Sequence, residues 1–442
     1  MATQTYDVGG ILYPRPFRIR RLGHFGFNMN SLDAGFDFYS KALGFRLTDE
    51  TRLSRLIPGA GEGMEDDRII FMTNNTDHHA FLLAHRSLGA MFGDDAGSKD
   101  ITLSQITWQV GTLEEVVSAV DYFNKGSVEI RRSGRDMPGS NWHVYVRDPD
   151  GHTVELYYGM EQIGLYGRSK PTEMYYRRFG ETPSLPQMSD LTEAADARSR
   201  GIDVLSGYEG RDAAVFSGTA AANGVSVMKS AVDGKAENGS ASGGVSGGVS
   251  GGDRTSDCNV GGILLPRPFK ITKIGPAGLF VGDLDASLAF YRDTMGFTVT
   301  EIVEYKGHRC LFLRHGLEHH SLKLYPRALR AELGLSEHTS CVSMGMQVGT
   351  YRQLRDAVAW LKKRGVRMID LPPQLSPGID YHVHALDPEG HCIQLYYYME
   401  QVGWDGKPRP AAQRRPVTTP WPEHLPAMSD TYADQIFQGP LG

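Results

Sequence analysis

The stretch DPDGHTVELYYGMEQIG at residues 148–164 returns as DPEGHCIQLYYYMEQVG at residues 387–403. In both copies Asp-Pro and Gly indicate a tight turn, and the β-branched and aromatic run after it is typical of a strand. Further back, VGGILYPRPFRIRRLG at 8–23 matches VGGILLPRPFKITKIG at 260–275, and the segments between match in the same order. The sequence therefore predicts two collinear copies of one domain.

A Gly/Ser-rich stretch separates the two copies. Residues 205–257 include NGSASGGVSGGVSGGD, which has too few apolar side chains to form a core. We therefore predict an N-terminal domain over 7–204, a flexible linker over 205–257 and a C-terminal domain over 258–442.

Each copy also contains a weaker internal repeat, in which a strand is followed by an amphipathic helix. In the first copy these segments are LGHFGFNMNSLDAGFDFYSKALGF (22–45) and SQITWQVGTLEEVVSAVDYFNKGSVEI (104–130). Ser31 and Thr112 stand where their side-chain oxygens can cap the helices, and strand-like runs follow each helix. The pattern predicts an α+β protein of four βαβββ modules, two per copy.

Composition narrows the choice of partners. The chain has 442 residues, a net charge of −6 and four widely spaced cysteines without a CxxC pair. It shows neither an apolar run of membrane-spanning length nor a leader pattern at Met1. We expect a cytoplasmic protein without a nucleic-acid or membrane partner, and these features are compatible with a homo-oligomer.

This architecture, with DPDGHTVELYY and DPEGHCIQLYY closing the copies, resembles the vicinal oxygen chelate superfamily. That superfamily includes glyoxalase I, extradiol ring-cleaving dioxygenases and bleomycin-resistance proteins, and the resemblance covers about residues 7–165 and 260–405. It implies that paired modules curl into an open barrel around a divalent metal, with ligands from the first and last strand of each module. The expected fold is thus two tandem vicinal-oxygen-chelate barrels, whereas one such scaffold hosts several chemistries.

The internal register locates the four equivalent ligand positions in each copy. On the first strands these positions lie seven residues before the helix cap, and on the last strands they follow from superposing VELYY, FLLAH, IQLYY and LKLYP. They are His24, Leu82, Gln105 and Glu155 in the first copy, and Pro276, Lys323, Ser343 and Gln394 in the second.

The two sets of side chains differ in their ability to bind a cation. Imidazole, carboxylate and an amide oxygen can hold a divalent ion with positions left open for substrate. The second set has no anionic donor, and the Lys323 ammonium would repel a cation. We predict a metal site of His24, Gln105 and Glu155 in the first copy alone. The alternative is a structural histidine and a solvated glutamate. Whether Gln105 is a ligand stays open, because an amide oxygen is a weak donor for transition metals.

The resemblance to extradiol dioxygenases implies further catalytic residues. Tyr145 lies ten residues before Glu155, as in that family, and His78 matches a histidine that opens a strand and shares a face with Leu82. With His143 on a neighbouring strand, these side chains could orient a catechol and transfer its proton.

Some features depart from this pattern. His79 is expected to face the opposite way from His78, and the His pair recurs as His319-His320 in the copy without metal ligands. Gln105 and Asp136 replace two histidines of the dioxygenase pattern. In the second copy His382 and His384 share a strand face, but no carboxylate partner is evident.

The leading hypothesis is an extradiol-type dioxygenase that cleaves a catechol-like aromatic with O2. Its metal would be Fe(II), with Mn(II), Zn(II) and Ni(II) as alternatives. Two other hypotheses remain: a non-oxidative enzyme of the superfamily, such as a glyoxalase-like isomerase or lyase, and a metal-free protein that binds small molecules.

Overall fold

The computed structural model describes residues 4–56, 64–88, 102–135, 137–163, 258–402 and 406–425, together with 199 and 201. The predicted linker over 205–257 lies outside these residues, and so does Asp136. The domain boundaries at 7–204 and 258–442 therefore stay predictions.

The first repeat consists of ten strands and three α-helices in the described residues. Its strands are β1 (Tyr6–Val8), β2 (Ile11–Tyr13), β3 (Ile19–Met29), β4 (Arg46–Arg52), β5 (Arg68–Thr73), β6 (Phe81–His85), β7 (Leu103–Val110), β8 (Ile130–Gly134), β9 (Ser140–Arg147) and β10 (Thr153–Met160). Its helices are α1 (Leu32–Asp37), continued by a π-helical turn at Phe38–Leu43, α2 (Leu53–Leu56) and α3 (Leu113–Lys125).

The second repeat has the same order of strands, but its short helix lies at a different place in that order. Its strands are β11 (Cys258–Val260), β12 (Ile263–Leu265), β13 (Ile271–Val281), β14 (Thr298–Tyr305), β15 (His308–Arg314), β16 (Leu322–Pro326), β17 (Cys341–Val348), β18 (Met368–Ile369), β19 (His382–Leu386) and β20 (Cys392–Tyr396). Its helices are α4 (Leu284–Ala289), with a π-helical turn at Phe290–Thr294, α5 (Leu329–Glu332) and α6 (Tyr351–Lys363), and two 3-10 turns lie at Pro373–Leu375 and Ala411–Gln413.

Each repeat forms one eight-stranded mixed sheet. The strand order is β4-β5-β6-β3-β7-β10-β9-β8 in the first repeat and β14-β15-β16-β13-β17-β20-β19-β18 in the second. Within each module the first and last strands pair in parallel, and the two modules join where β3 meets β7 and β13 meets β17. This confirms the α+β fold of four βαβββ modules in two tandem barrels. It also places the first and last strands of each module side by side.

The helix caps lie where the sequence predicts them. Ser31 and Thr112 accept hydrogen bonds from first-turn amides of α1 and α3, and Asp283 and Thr350 do the same for α4 and α6. Each cap satisfies an amide that would otherwise lack a partner, so it fixes where the strand ends and the helix begins.

The two repeats share a hydrophobic core. Residues of both contribute to it, and the Trp108 ring lies edge-on to Phe297 with centroids 4.8 Å apart. Among the described residues, no helix is long and apolar enough to cross a membrane.

Candidate metal centre of the first repeat

Three polar side chains meet at the centre of the first barrel. His24 on β3, Gln105 on β7 and Glu155 on β10 come together because β7 pairs with both of the other strands. His24 Nε2 lies 3.1 Å from Glu155 Oε2. Gln105 Nε2 lies 2.8 Å from His24 Nε2 and 3.0 Å from Glu155 Oε2. All three side chains are buried.

The spacing of this group fits a divalent ion. Neighbouring ligands of an ion held at about 2.1 Å with right-angled geometry are about 3 Å apart, which is the separation seen here. His24 Nδ1 and Glu155 Oε1 are buried without a hydrogen-bond partner among the described residues. Half a turn of the Gln105 amide presents its oxygen in place of its nitrogen. The group can therefore supply one nitrogen and two oxygen donors.

Glu155 is held in its charged form. Burial by itself would raise its pKa, but the neighbouring His24 and His143 and a hydrogen bond from Thr107 hold the pKa below its ordinary value. The Thr107 hydroxyl donates to Oε2 at 2.8 Å. Because Thr107 lies two residues after Gln105 on the same strand face, strand alternation could have identified it from the sequence.

The group differs from a two-histidine, one-carboxylate triad. In the part of the chain that the structure describes, no three His, Cys, Asp or Glu side chains gather as a metal cluster. The third donor here is an amide.

A cavity of about 100 Å³ opens beside these residues. His24, Gln105, His79 and Tyr145 line it together with apolar side chains. The apolar lining residues include Ile69, Phe71, Leu82 and Met137. The Arg132 guanidinium lies 4.2 Å from the centre of the Tyr145 ring. The cavity is therefore lined by two of the three donors, His24 and Gln105, and by largely apolar walls. The walls also carry the polar side chains of Asn28, Ser104, Arg131, Arg132 and Thr153.

The expectation that His78 shares the cavity face with Leu82 is wrong. His79 lines the cavity, with its ring centroid 4.3 Å from that of His24. His78 is buried behind it, with Nδ1 2.9 Å from His79 Nδ1 and Nε2 3.4 Å from Asp49 Oδ2. Strand β6 begins only at Phe81, so the alternation of faces does not extend back to the two histidines.

His143 lies on the other side of the carboxylate. Its Nδ1 is 3.7 Å from Glu155 Oε1, and its ring centroid is 4.7 Å from that of Tyr145. His143 therefore lies near both Glu155 and Tyr145, which are themselves paired across β10 and β9. The cavity lining itself includes Tyr145 and not His143.

In the second barrel an ammonium group lies where the first has its metal-binding candidates. Lys323 Nζ donates to Ser343 Oγ at 2.6 Å and to Gln394 Oε1 at 3.0 Å. Burial lowers the pKa of Lys323 to about 8. The His319 and His320 pair repeats the first-repeat arrangement, with Nδ1 atoms 3.0 Å apart and Glu301 beside His319 Nε2 at 2.9 Å. The His382 and His384 rings lie 5.2 Å apart.

Comparison with known proteins identifies relatives of this chain. The 3-methylcatechol 2,3-dioxygenase of Pseudomonas putida is 28% identical over 142 residues, which are 32% of this chain and 43% of that protein. The match thus spans less than half of the relative. The crystal structure of BphC, a halotolerant catechol dioxygenase, superposes with a TM-score of 0.50 and 12% identity, covering 89% of this chain and 91% of that one. At that identity the likeness shows the fold alone.

The family model points to the same group of proteins. The model of the Glyoxalase/Bleomycin resistance protein/Dioxygenase superfamily matches residues 21–156 and 273–395, in both repeats. These two ranges make up more than half of the chain, and each runs from the first strand of a barrel to its last. The protein therefore belongs to the Glyoxalase/Bleomycin resistance protein/Dioxygenase superfamily.

Proposed function

We propose that the first repeat is the active site of a metal-dependent, extradiol-type dioxygenase that cleaves a catechol-like aromatic with O2. The convergence of His24, Gln105 and Glu155 beside a cavity with largely apolar walls carries the proposal. The relative named as a 3-methylcatechol 2,3-dioxygenase supports the substrate class. These three residues would hold Fe(II), or alternatively Mn(II), Zn(II) or Ni(II), and the ion would supply Lewis acidity and open positions for the substrate oxygens.

The chain's own residues orient the substrate and move its proton. Tyr145 and His79 line the cavity, where a phenol and an imidazole can hydrogen-bond a substrate hydroxyl. Burial lowers the pKa of His79 well below its ordinary value, so its ring is neutral and available as a base. If His78 Nε2 donates to Asp49, Nδ1 of His78 accepts from His79, which leaves Nε2 of His79 as the basic nitrogen. In this scheme His78 positions His79, while His143 supports Glu155.

The first test is metal binding by the full-length protein. We expect one Fe(II) per chain after anaerobic loading, measured by elemental analysis, and a loss of at least about tenfold in affinity in His24→Ala and Glu155→Gln. Gln394→Ala changes the equivalent position of the second barrel and should retain the metal. Equal metal content in the wild type and in all three variants would overturn the assignment of the site.

The second test is the reaction. The iron-loaded protein should consume O2 with at least one member of a panel of catechols and form a yellow ring-cleavage product. Tyr145→Phe and His79→Gln should lower kcat by about 10²-fold or more while leaving the bound iron in place. An iron-loaded protein that consumes no O2 with any catechol contradicts the dioxygenase proposal.

Gln105 favours a second candidate, a non-oxidative reaction of the glyoxalase-like isomerase or lyase type. An amide donor in place of a second imidazole suits a metal that acts as a Lewis acid without changing its oxidation state. Gln105→His separates the two candidates. A dioxygenase should retain or gain O2 uptake in this variant, whereas a non-oxidative enzyme should show none in either form. A protein that binds no metal would instead be a metal-free binder of small molecules.

A further inference from the structure

A second, larger cavity lies between the two repeats, where β3 and β13 begin. Its volume is about 610 Å³, within the usual range for small-molecule sites. Residues 18, 20–23 and 272–275 form its two sides, and residues 315–318 close it. It shares no lining residue with the cavity of the first barrel.

Two of the cations that line this cavity are neutralised by repeated ion pairs. Arg21 contacts Asp77 Oδ2 at 2.6 Å, and Lys273, its equivalent in the second repeat, forms an ion pair with Glu318. Of these two carboxylates, Glu318 lines the cavity and Asp77 does not. These pairs leave no net charge for a ligand to meet.

Two further arginines leave the cavity with a surplus of positive charge. The Arg20 guanidinium lies 3.7 Å from Glu115 and is 41% exposed, so this pair is weak. Arg18 forms no side-chain ion pair within the described residues, and only its backbone amide donates to Glu115, at 2.7 Å. Of the equivalent residues of the second repeat, Lys270 does not line the cavity and Thr272 is neutral, so the surplus charge lies on the first-repeat side.

His315 also lies in the wall of this cavity. Its side chain is only 9% exposed and its ring lies 5.8 Å from that of Trp108, across the junction between the repeats. Burial lowers its pKa to about 4, so the imidazole is neutral near pH 7. Its buried Nδ1 has no hydrogen-bond partner in the part of the chain that the structure describes. Such an atom costs free energy unless a water or a ligand satisfies it.

The remaining walls are largely apolar. Leu22, Ile274, Leu317 and Met399 all line the cavity, and Leu317 is 68% exposed. The first repeat has Thr76 at the position of Leu317. An exposed apolar wall beside the surplus positive charge of Arg18 and Arg20 matches a molecule with an apolar body and an anionic end.

We propose that this cavity is a second ligand site, for an amphipathic monocarboxylate. The carboxylate pairs with Arg18 and Arg20, and the apolar body lies along Leu22, Ile274 and Leu317. The site does not depend on the function proposed for the first barrel.

Calorimetry on the full-length protein tests whether the ligand's carboxylate and the Arg18 guanidinium both contribute to binding. Decanoate should bind at least tenfold more tightly than decan-1-ol. Arg18→Gln should lower the affinity for decanoate at least fivefold and leave the affinity for decan-1-ol unchanged. Arg352→Gln changes an exposed arginine on α6, 89% of whose side chain is exposed, and should leave both affinities unchanged. If decanoate fails to bind, or binds equally to Arg18→Gln and Arg352→Gln, the proposal is overturned.

A second pair of variants tests the apolar wall. Leu317→Glu places a negative charge beside the proposed ligand and should lower the affinity for decanoate at least fivefold. Leu264→Glu makes the same change at a residue that is 65% exposed on β12, away from the cavity, and should leave the affinity unchanged. Equal affinities in these two variants would also overturn the proposal.

Discussion

Glu155 and Lys323 give the centres of the two barrels opposite charges. The carboxylate lies among His24, Gln105 and Thr107, whereas the ammonium is held by Ser343 and Gln394. A buried charge is tolerated only where hydrogen bonds replace the lost water. Glu155 nevertheless keeps one buried oxygen without a hydrogen bond among the described residues, while the Lys323 ammonium donates to two acceptors. The first centre is thus the one able to accept a cation.

The buried amine predicts a specific dependence of stability on pH. The folded pKa of Lys323, about 8, is below its ordinary value of 10.5, so between these pH values the unfolded chain binds more protons. The free energy of unfolding should therefore rise with pH across this window, by up to about 3 kcal/mol from this group. Urea unfolding of the wild type and of Lys323→Met from pH 7 to 10.5 measures it. The free energy of unfolding of the wild type, relative to that of Lys323→Met, should increase with pH. If the free energies of the two proteins change in parallel with pH, the prediction is wrong.

Some residues of the candidate site could be predicted from the sequence, and others could not. The positions of His24, Gln105 and Glu155 follow from the internal repeat, because equivalent strands have equivalent registers. His79 could not be placed in the same way, because it precedes the first paired residue of β6, where no alternation determines which face a side chain takes.

At the level of elements, the turns between β9 and β10 and between β19 and β20 do more than reverse the chain. Asp148 Oδ2 accepts a hydrogen bond from Tyr291 at 2.9 Å, and Asp387 Oδ2 accepts one from Tyr39 at 3.0 Å. Each tyrosine belongs to the opposite repeat. The sequence predicts the turns, but the partner of each carboxylate depends on how the barrels dock.

The same turns meet the starts of helices in the other repeat. Asp150 Oδ1 accepts from the Gly282 amide at 2.6 Å, and Glu389 Oε1 accepts from the amides of Asn30 and Ser31 at 2.6 and 2.8 Å. Carboxylates are favourable at helix N-termini, so each turn stabilises the first helix of the opposite repeat.

Removing either tyrosine hydroxyl should weaken the junction. Tyr39→Phe and Tyr291→Phe each leave a buried aspartate with one donor fewer, so we expect each to lower the free energy of unfolding by about 1.5–3 kcal/mol. Urea unfolding at pH 7 measures this loss. Tyr305→Phe is the control, because the Tyr305 hydroxyl makes no hydrogen bond among the described residues, and it should change stability by less than about 0.5 kcal/mol. A loss in only one of the two variants would contradict the pseudo-symmetric arrangement.

For the whole molecule, the sequence predicts the two barrels but not their contact. The repeat shows which segments fold alike. The contact depends on side chains from both copies, such as Trp108 and Phe297, and no pattern within one copy shows that they meet. The cavity between the repeats could not be predicted for the same reason, since its walls come from both.

The shared core predicts that the two repeats unfold together. All four cysteines lie in the second half of the chain, and Cys310, Cys341 and Cys392 are buried there. Their labelling by a thiol reagent therefore reports unfolding of the second repeat alone, while circular dichroism reports the whole chain. In urea the two probes should give one coincident transition.

A substitution in the first repeat gives a stricter test of whether the two repeats unfold together. Phe123 on α3 packs against Phe17 and Tyr122, all in the first repeat, so Phe123→Leu should lower stability by about 1 kcal/mol. If the repeats are coupled, thiol labelling in the second repeat shifts to lower urea by as much as the circular dichroism transition. Asp121→Asn, an exposed change on the same helix, should move neither. A shift of circular dichroism without a shift of labelling would mean that each barrel is stable by itself, and that the junction positions the repeats without holding them folded.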